Sequence, residues 1–183
     1  MRVAVLTISD RSAKGEREDR SGPAVAKALV RLVAGVEIVE RKIIPDDRVA
    51  IEPELRRLAD GGSADLILTT GGTGLSPRDV TPQATKAVLD YEVPGIAEAM
   101  RAATRAAFPA AVLSRQVTGV RRRTLVVNLP GSPKGAVECL EAIAPVLPHA
   151  VATLRGEAGD AHPGASVRAS SGVEPEPEEP TGR

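Results

Sequence analysis

The chain has 183 residues, 42% of them hydrophobic, and its 24 basic and 24 acidic side chains give a formal net charge of zero. That length sets an expectation of one domain, and the balanced charge leaves no electrostatic footprint for nucleic acid or a membrane surface. One Cys, two His and a single Tyr and Phe exclude a disulfide framework, a structural zinc site and the stacking platforms of single-strand binders. No uninterrupted apolar run reaches the roughly 20 residues of a membrane span. The N-terminus MRVAVLTISD lacks the longer apolar core and cleavage site of a signal peptide, so a cytoplasmic protein is expected.

In chain order, residues 3–8 form a short, β-branched, apolar run that predicts a buried strand. The polar stretch SDRSAKGEREDRSG follows as a loop. Ser21 is placed to cap the next helix, with Pro23 in its first turn, and Val25, Ala26, Leu29, Val30 and Val33 fall on one helical face. Gly35 ends that helix, and residues 36–44 read as a second strand. PDDR then opens a helix that reaches about residue 60, with Pro53 inside it as the source of a loose or kinked first turn. Gly61 and Gly62 stop it. Residues 65–69 read as a third strand, followed by a glycine-rich loop. Thr81 is expected to cap a helix that has Pro82 at its first position. Residues 94–107 predict another helix, residues 117–120 and 124–128 a hairpin, and residues 136–154 a last helix. This alternation predicts an α/β fold with a mostly parallel sheet. From Gly156 the composition turns to Gly, Pro, Ser and Glu. Residues 156–183 are therefore expected to be a disordered tail beside a domain of residues 1–155.

In open α/β sheets, ligands sit outside the carboxyl ends of the strands. The loops leaving that edge are Ser9-Asp10-Arg11-Ser12, Pro45-Asp46-Asp47, Gly71 to Asp79, and Leu129 to Lys134. The stretch LTTGGTGLSPRDVTPQAT is not a Walker A loop, because Leu75-Ser76 follows Gly74 where Lys and Ser or Thr are needed. It is not a dinucleotide fingerprint either, because Pro77 stands where a third glycine is needed, which disfavours a nicotinamide oxidoreductase. What remains is a nest, in which Gly71, Gly72, Thr73 and Gly74 aim backbone N–H groups at an anion, or a tight turn without a ligand. Carboxylates beside bound phosphates call for a hard cation, and Mg²⁺ binds through one or two carboxylates plus substrate phosphates. Asp79, and Asp46 and Asp47 after the second strand, supply such carboxylates. For Asp46 or Asp47 the competing role is helix capping, and for Asp79 that of a solvated loop acid. Cys139, at core spacing with Leu140 and Ile143, reads as packing and not as a nucleophile.

TTGGTGLSPRDVTPQAT, PGIAEAMR, LSRQ and NLPGSPKG, in this order, together resemble the MogA/MoaB-type molybdopterin-binding family, and most of all its adenylyltransferases. The likeness spans about residues 3–154. It implies a three-layer α/β/α sandwich with a small β-hairpin excursion. It also implies a reaction: the terminal phosphate of molybdopterin attacks the α-phosphorus of ATP with Mg²⁺ assistance, giving adenylylated molybdopterin and pyrophosphate. By motif, Asp46 and Asp79 match the family's essential acids and are assigned to catalysis and to the metal, Asp79 either holding the metal or positioning the attacking group. Gly71, Gly72, Thr73 and Gly74 match its phosphate-facing loop. Ser114 and Arg115, and Pro130, Gly131 and Ser132, match further substrate- and nucleotide-binding segments, and Ser9, Asp10 and Ser76 are counted with them. A homotrimer and a transient contact with the molybdate-insertion protein are expected partners. Members of the fold also serve as non-catalytic pterin carriers or scaffold modules, and loss of one essential Asp would favour that role; both are present here. Arg122 departs from the pattern, standing where many members have Gly in the hairpin turn.

Overall fold

The structure, a computed structural model, describes residues 1–157. The expected disordered tail lies, apart from its first two residues, outside the described residues. A six-stranded sheet has the order β2-β1-β3-β6-β5-β4. Its strands are β1 (Arg2–Ile8), β2 (Glu37–Ile44), β3 (Leu66–Thr70), β4 (Tyr91–Glu92), β5 (Thr118–Arg121) and β6 (Thr124–Leu129). The first three and β6 run parallel, while β4 and β5 pair antiparallel at one edge. The helices are α1 (Asp10–Ala13), α2 (Ser21–Leu32), α3 (Arg48–Asp60), α4 (Thr81–Lys86), α5 (Pro94–Thr104), α6 (Pro133–Ile143) and α7 (Leu147–Arg155).

Side-chain alternation builds two cores, one on each face of the sheet. Val3, Val5, Leu66, Leu68, Leu125 and Val127 pack under α2, α5, α6 and α7. Ala4, Leu6, Ile8, Ile67 and Val126 pack under α3 and α4. Central strands covered on both faces read as unbroken apolar runs, which is why β1, β3 and β6 are legible in the sequence. The result is the expected α/β/α sandwich with a hairpin excursion. β1 lies between β2 and β3, so the chain reverses direction across the sheet there, and α2 and α3 cover opposite faces. The carboxyl ends of β1 and β3 therefore form a topological switch point, where open α/β sheets hold ligands.

Several local expectations are corrected. Ser21 does not cap α2 but is its first residue, after Arg20 at the N-cap; Asp19, one residue before the cap, accepts with its Oδ1 from Gly22 N at 3.0 Å. Thr81 is the first residue of α4, not its cap. Val30 is 54% exposed, outside the buried face of α2. The single last helix is interrupted by a 3-10 turn, Ala144–Val146, where Pro145 and Pro148 each withhold an N–H from the helical ladder. That whole run, Pro133–Arg155, is long and apolar enough to cross a membrane by length and composition. In this fold its buried residues, among them Cys139, Leu140, Ile143 and Leu147, pack on the sheet instead. Arg122 sits at φ 55° and its N–H donates to Asp90 Oδ2 at 2.6 Å, so the turn keeps a left-handed residue without glycine.

One buried carboxylate ties the two ends of the domain together. Asp65 accepts from Arg2 N at 2.6 Å and from Arg2 Nη2 at 2.8 Å, and pairs with Arg155 of α7. Burial alone would raise its pKa, but the hydrogen bonds from Arg155 and Arg2 hold the carboxyl well below the usual range. A depressed carboxylate stabilises the fold above its unfolded pKa, about 3.9, and that contribution disappears as pH falls through the lower folded value. Asp65→Asn is thus expected to cost about 1–3 kcal/mol at neutral pH, the lower half being favoured because both arginines are partly solvated. The gap between variant and parent should begin to narrow in denaturant titrations below about pH 4 and close only as pH reaches the lower folded value.

Candidate active site

The site is assembled from the loops that leave the carboxyl ends of β1, β2, β3 and β6. After β1, Ser9 caps α1, its Oγ accepting from Ser12 N at 3.2 Å, so a short helix stands where a loop is expected. After β2, the adjacent acids divide their tasks. Asp47 caps α3, accepting from Val49 N at 3.0 Å, which leaves Asp46 free of that duty. Asp46 and Asp10 bind each other's backbone: Asp10 N donates to Asp46 Oδ2 at 2.8 Å, and Asp46 N to Asp10 Oδ1 at 3.0 Å. Arg78 reaches across from the glycine loop, its Nε donating to Asp10 Oδ2 at 3.1 Å. The two carboxyls are pushed apart as a result. The Arg78 hydrogen bond holds Asp10 below its ordinary range. Burial, with the charges of Asp10 and Asp79 behind it, raises Asp46.

The glycines after β3 are required by close approach. Gly71 has φ 108°, and a Cβ there would lie 2.3 Å from Ile8 O. Gly72 has φ 62°, and its Cβ would lie 2.3 Å from Thr81 Oγ1 and 2.9 Å from Asp46 Oδ1. A Cβ on Gly74 would meet Asp79 Oδ2 at 2.9 Å. Asp79 is folded back onto this loop, its Oδ2 accepting from Ser76 N at 2.9 Å while its own N–H donates to Ser76 O at 2.9 Å. After β6, Ser132 caps α6 by accepting from Gly135 N at 3.1 Å.

Two cavities open on these loops. The first, about 370 Å³, is polar and lies over Ser9, Ser12, Asp46 and Gly71, with Arg17 and Arg20 on its rim. The second, about 670 Å³, is more apolar, with walls of Ala107, Phe108, Ala111, Leu113 and Pro130 and a polar floor of Thr104, Ser114 and Gln116. They share Gly72, Asp79, Gly131 and Ser132. Among the described residues, no three His, Cys, Asp or Glu gather as a metal cluster. The donors present still suit Mg²⁺: Asp46 and Asp79 are two carboxylates lining one cavity, with Ser9, Ser12 and Ser132 around them. Two carboxylates and hard oxygen donors fit a cation that completes its shell with phosphate oxygens and water.

A sequence profile described as "Probable molybdopterin binding domain" matches residues 4–149. The chain belongs to this molybdopterin-binding family. It is similar to the molybdopterin adenylyltransferase of Helicobacter pylori strain J99, with 42% identity over 84% of this chain and 88% of the relative. It is also similar to that of Escherichia coli K12, with 43% identity over 78% and 73%. Among solved structures, the molybdopterin biosynthesis enzyme MoaB of Thermus thermophilus is 52% identical, with a TM-score of 0.78 covering 85% of this chain and 96% of that one. A MogA structure is 40% identical, with a TM-score of 0.79 covering 84% and 99%.

Most residues singled out from the family's motifs converge, but not all face the cavities. Asp46, Ser9 and Gly71 line the first, Thr73, Gly74, Ser114 and Pro130 the second, and Gly72, Asp79, Gly131 and Ser132 both. Asp10 lines neither; it exchanges backbone bonds with Asp46 and accepts from Arg78. Ser76 lines neither and is turned into the loop, its Oγ accepting from Arg78 N at 3.3 Å. Arg115 also lines neither cavity. The sequence reading missed Thr7 and Asp19, whose side chains meet at 2.8 Å under the first cavity. It also missed Thr104 and Gln116 in the second. Gln116 carried a signal, since a polar residue directly before the apolar-facing Val117 strand had to find a partner.

Proposed function

We propose that this protein is a molybdopterin adenylyltransferase, transferring AMP from ATP to the terminal phosphate of molybdopterin and releasing pyrophosphate. The observation that carries the reading is the pair of cavities, about 370 and 670 Å³, that meet at Gly72, Asp79, Gly131 and Ser132. A transfer between two phosphate-bearing substrates needs two compartments whose phosphate ends touch. The glycine loop supplies backbone N–H donors at that junction. The attacking phosphate oxygen forms a bond to the α-phosphorus while the bond to the β-phosphate bridging oxygen breaks, and pyrophosphate carries away that electron pair. Asp46 and Asp79 would hold Mg²⁺, which supplies charge neutralisation for the phosphates. Ser132 and Gly131 orient the phosphates from the β6 side. With one Phe and one Tyr in the chain, the adenine and pterin rings rest mainly on aliphatic and proline surface.

The test is pyrophosphate release from ATP by purified protein, with mass analysis of the product. Release that needs both Mg²⁺ and molybdopterin supports the reading; tight molybdopterin binding without release identifies a carrier instead. The reading includes a cytoplasmic location and a homotrimer. The trimer is supported by Phe108, Val112 and Leu113, which are 62%, 60% and 53% exposed on one short segment, more apolar surface than an isolated loop leaves in water. Light scattering should give three times the chain mass, and a monomer mass across micromolar concentrations would overturn it.

A further inference from the structure

Arg115 stands behind the glycine loop. Its Nε donates to Gly74 O at 2.7 Å and its Nη2 to Asp79 O at 2.5 Å, while its backbone N–H donates to Thr73 O at 2.9 Å. Three carbonyls of the same loop are thereby gathered by one residue of the segment preceding β5. A guanidinium presents its donors in a fixed fork, so this contact sets the distance between Gly74 and Asp79. Arg115 does not line either cavity that meets at Asp79. It lines a third one, about 500 Å³, together with Gln83, Lys86, Arg101 and Thr118.

We propose that Arg115 is a positioning residue that clamps the glycine loop from behind and fixes Asp79 through its backbone, and that it does not contact phosphate. This rests on the adenylyltransferase reading for its kinetic consequence only. The third cavity adds a property: the space left by a truncated side chain opens to solvent, so a free guanidinium ion can enter and restore the clamp.

The experiment compares Arg115→Ala with the parent, with and without guanidinium chloride well below denaturing concentration. Hydrogen bonds to a charged donor imply a fall in kcat of about tenfold to a hundredfold, with the KM for ATP nearly unchanged. Guanidinium should return a large part of kcat, and urea at equal concentration none. Amide exchange of residues 73–79 in the substrate-free protein should quicken in the variant and slow again with guanidinium. If Arg115→Ala is poorly folded, Arg115→Lys serves, because one ammonium cannot span both carbonyls; it should lose kcat with KM preserved. A rise in KM for ATP with kcat preserved, or loop exchange that ignores both the substitution and guanidinium, overturns the proposal. The exchange readout separates the two ideas: a parent protein without transferase activity but with a responsive loop sinks the functional reading and leaves the clamp standing.

Discussion

Asp79→Asn is expected to lower kcat by about 10²–10³-fold, the usual loss when one transition-state charge partner is removed. The fold should survive. Asn keeps the shape and can still accept from Ser76 N, the 2.9 Å bond that holds the side chain on its loop. What disappears is the charge at the junction of the two cavities. Asp46→Asn is expected to act in the same direction, because its reciprocal bonds with Asp10 need only an acceptor and a backbone donor. Asp47→Ala is the internal control. It removes the cap of α3 and should cost about 1 kcal/mol of stability while turnover stays near the parent's. Steady-state pyrophosphate release and urea titrations of the three variants decide the matter. A near-normal rate for Asp79→Asn returns Asp79 to the role of a loop acid.

That division between Asp46 and Asp47 marks the limit of what the sequence carries. PDD announces a helix start and two acids at a strand's carboxyl end, but only the backbone of Asp47, extended at φ −141°, decides which acid caps and which does not. The glycine loop is legible for a related reason: three glycines in four positions, after an apolar run, have few structural uses other than close backbone approach. Arg115 is legible as a motif residue, but its bonds to Gly74 O and Asp79 O are not, since sequence order says nothing of which side of a loop a guanidinium reaches. Two-residue β4 has no period to detect. It exists because Tyr91 and Glu92 pair with Val120 and Gly119, a tertiary contact. The turn between α6 and α7 was legible in principle, as Pro145 and Pro148 are helix breakers; the continuous apolar spacing around them masked the signal.

Gly71→Ala is expected to damage both stability and turnover, by a route distinct from charge. Two penalties add at this position. At φ 108° an L side chain is strained wherever it points, a cost of about 1–3 kcal/mol. The new methyl carbon would also lie 2.3 Å from Ile8 O, a backbone atom of a central strand that cannot rotate away. The β1 and β3 ends must therefore separate, and they are the two sides of the switch point. Gly71 is bonded on its other side to β6, its N–H donating to Leu129 O at 3.1 Å, so displacement spreads to the loop carrying Gly131 and Ser132. The total should exceed about 3 kcal/mol, with kcat lowered further than the stability loss alone accounts for. Gly95→Ala provides the opposite sign. It lies in α5, where a Cβ would meet nothing within 4 Å, so Ala should stabilise by about 0.5 kcal/mol through helix propensity. Denaturant midpoints of the two variants test the argument directly, and a Gly71→Ala protein as stable as the parent would mean that the β1–β3 crevice can widen without cost.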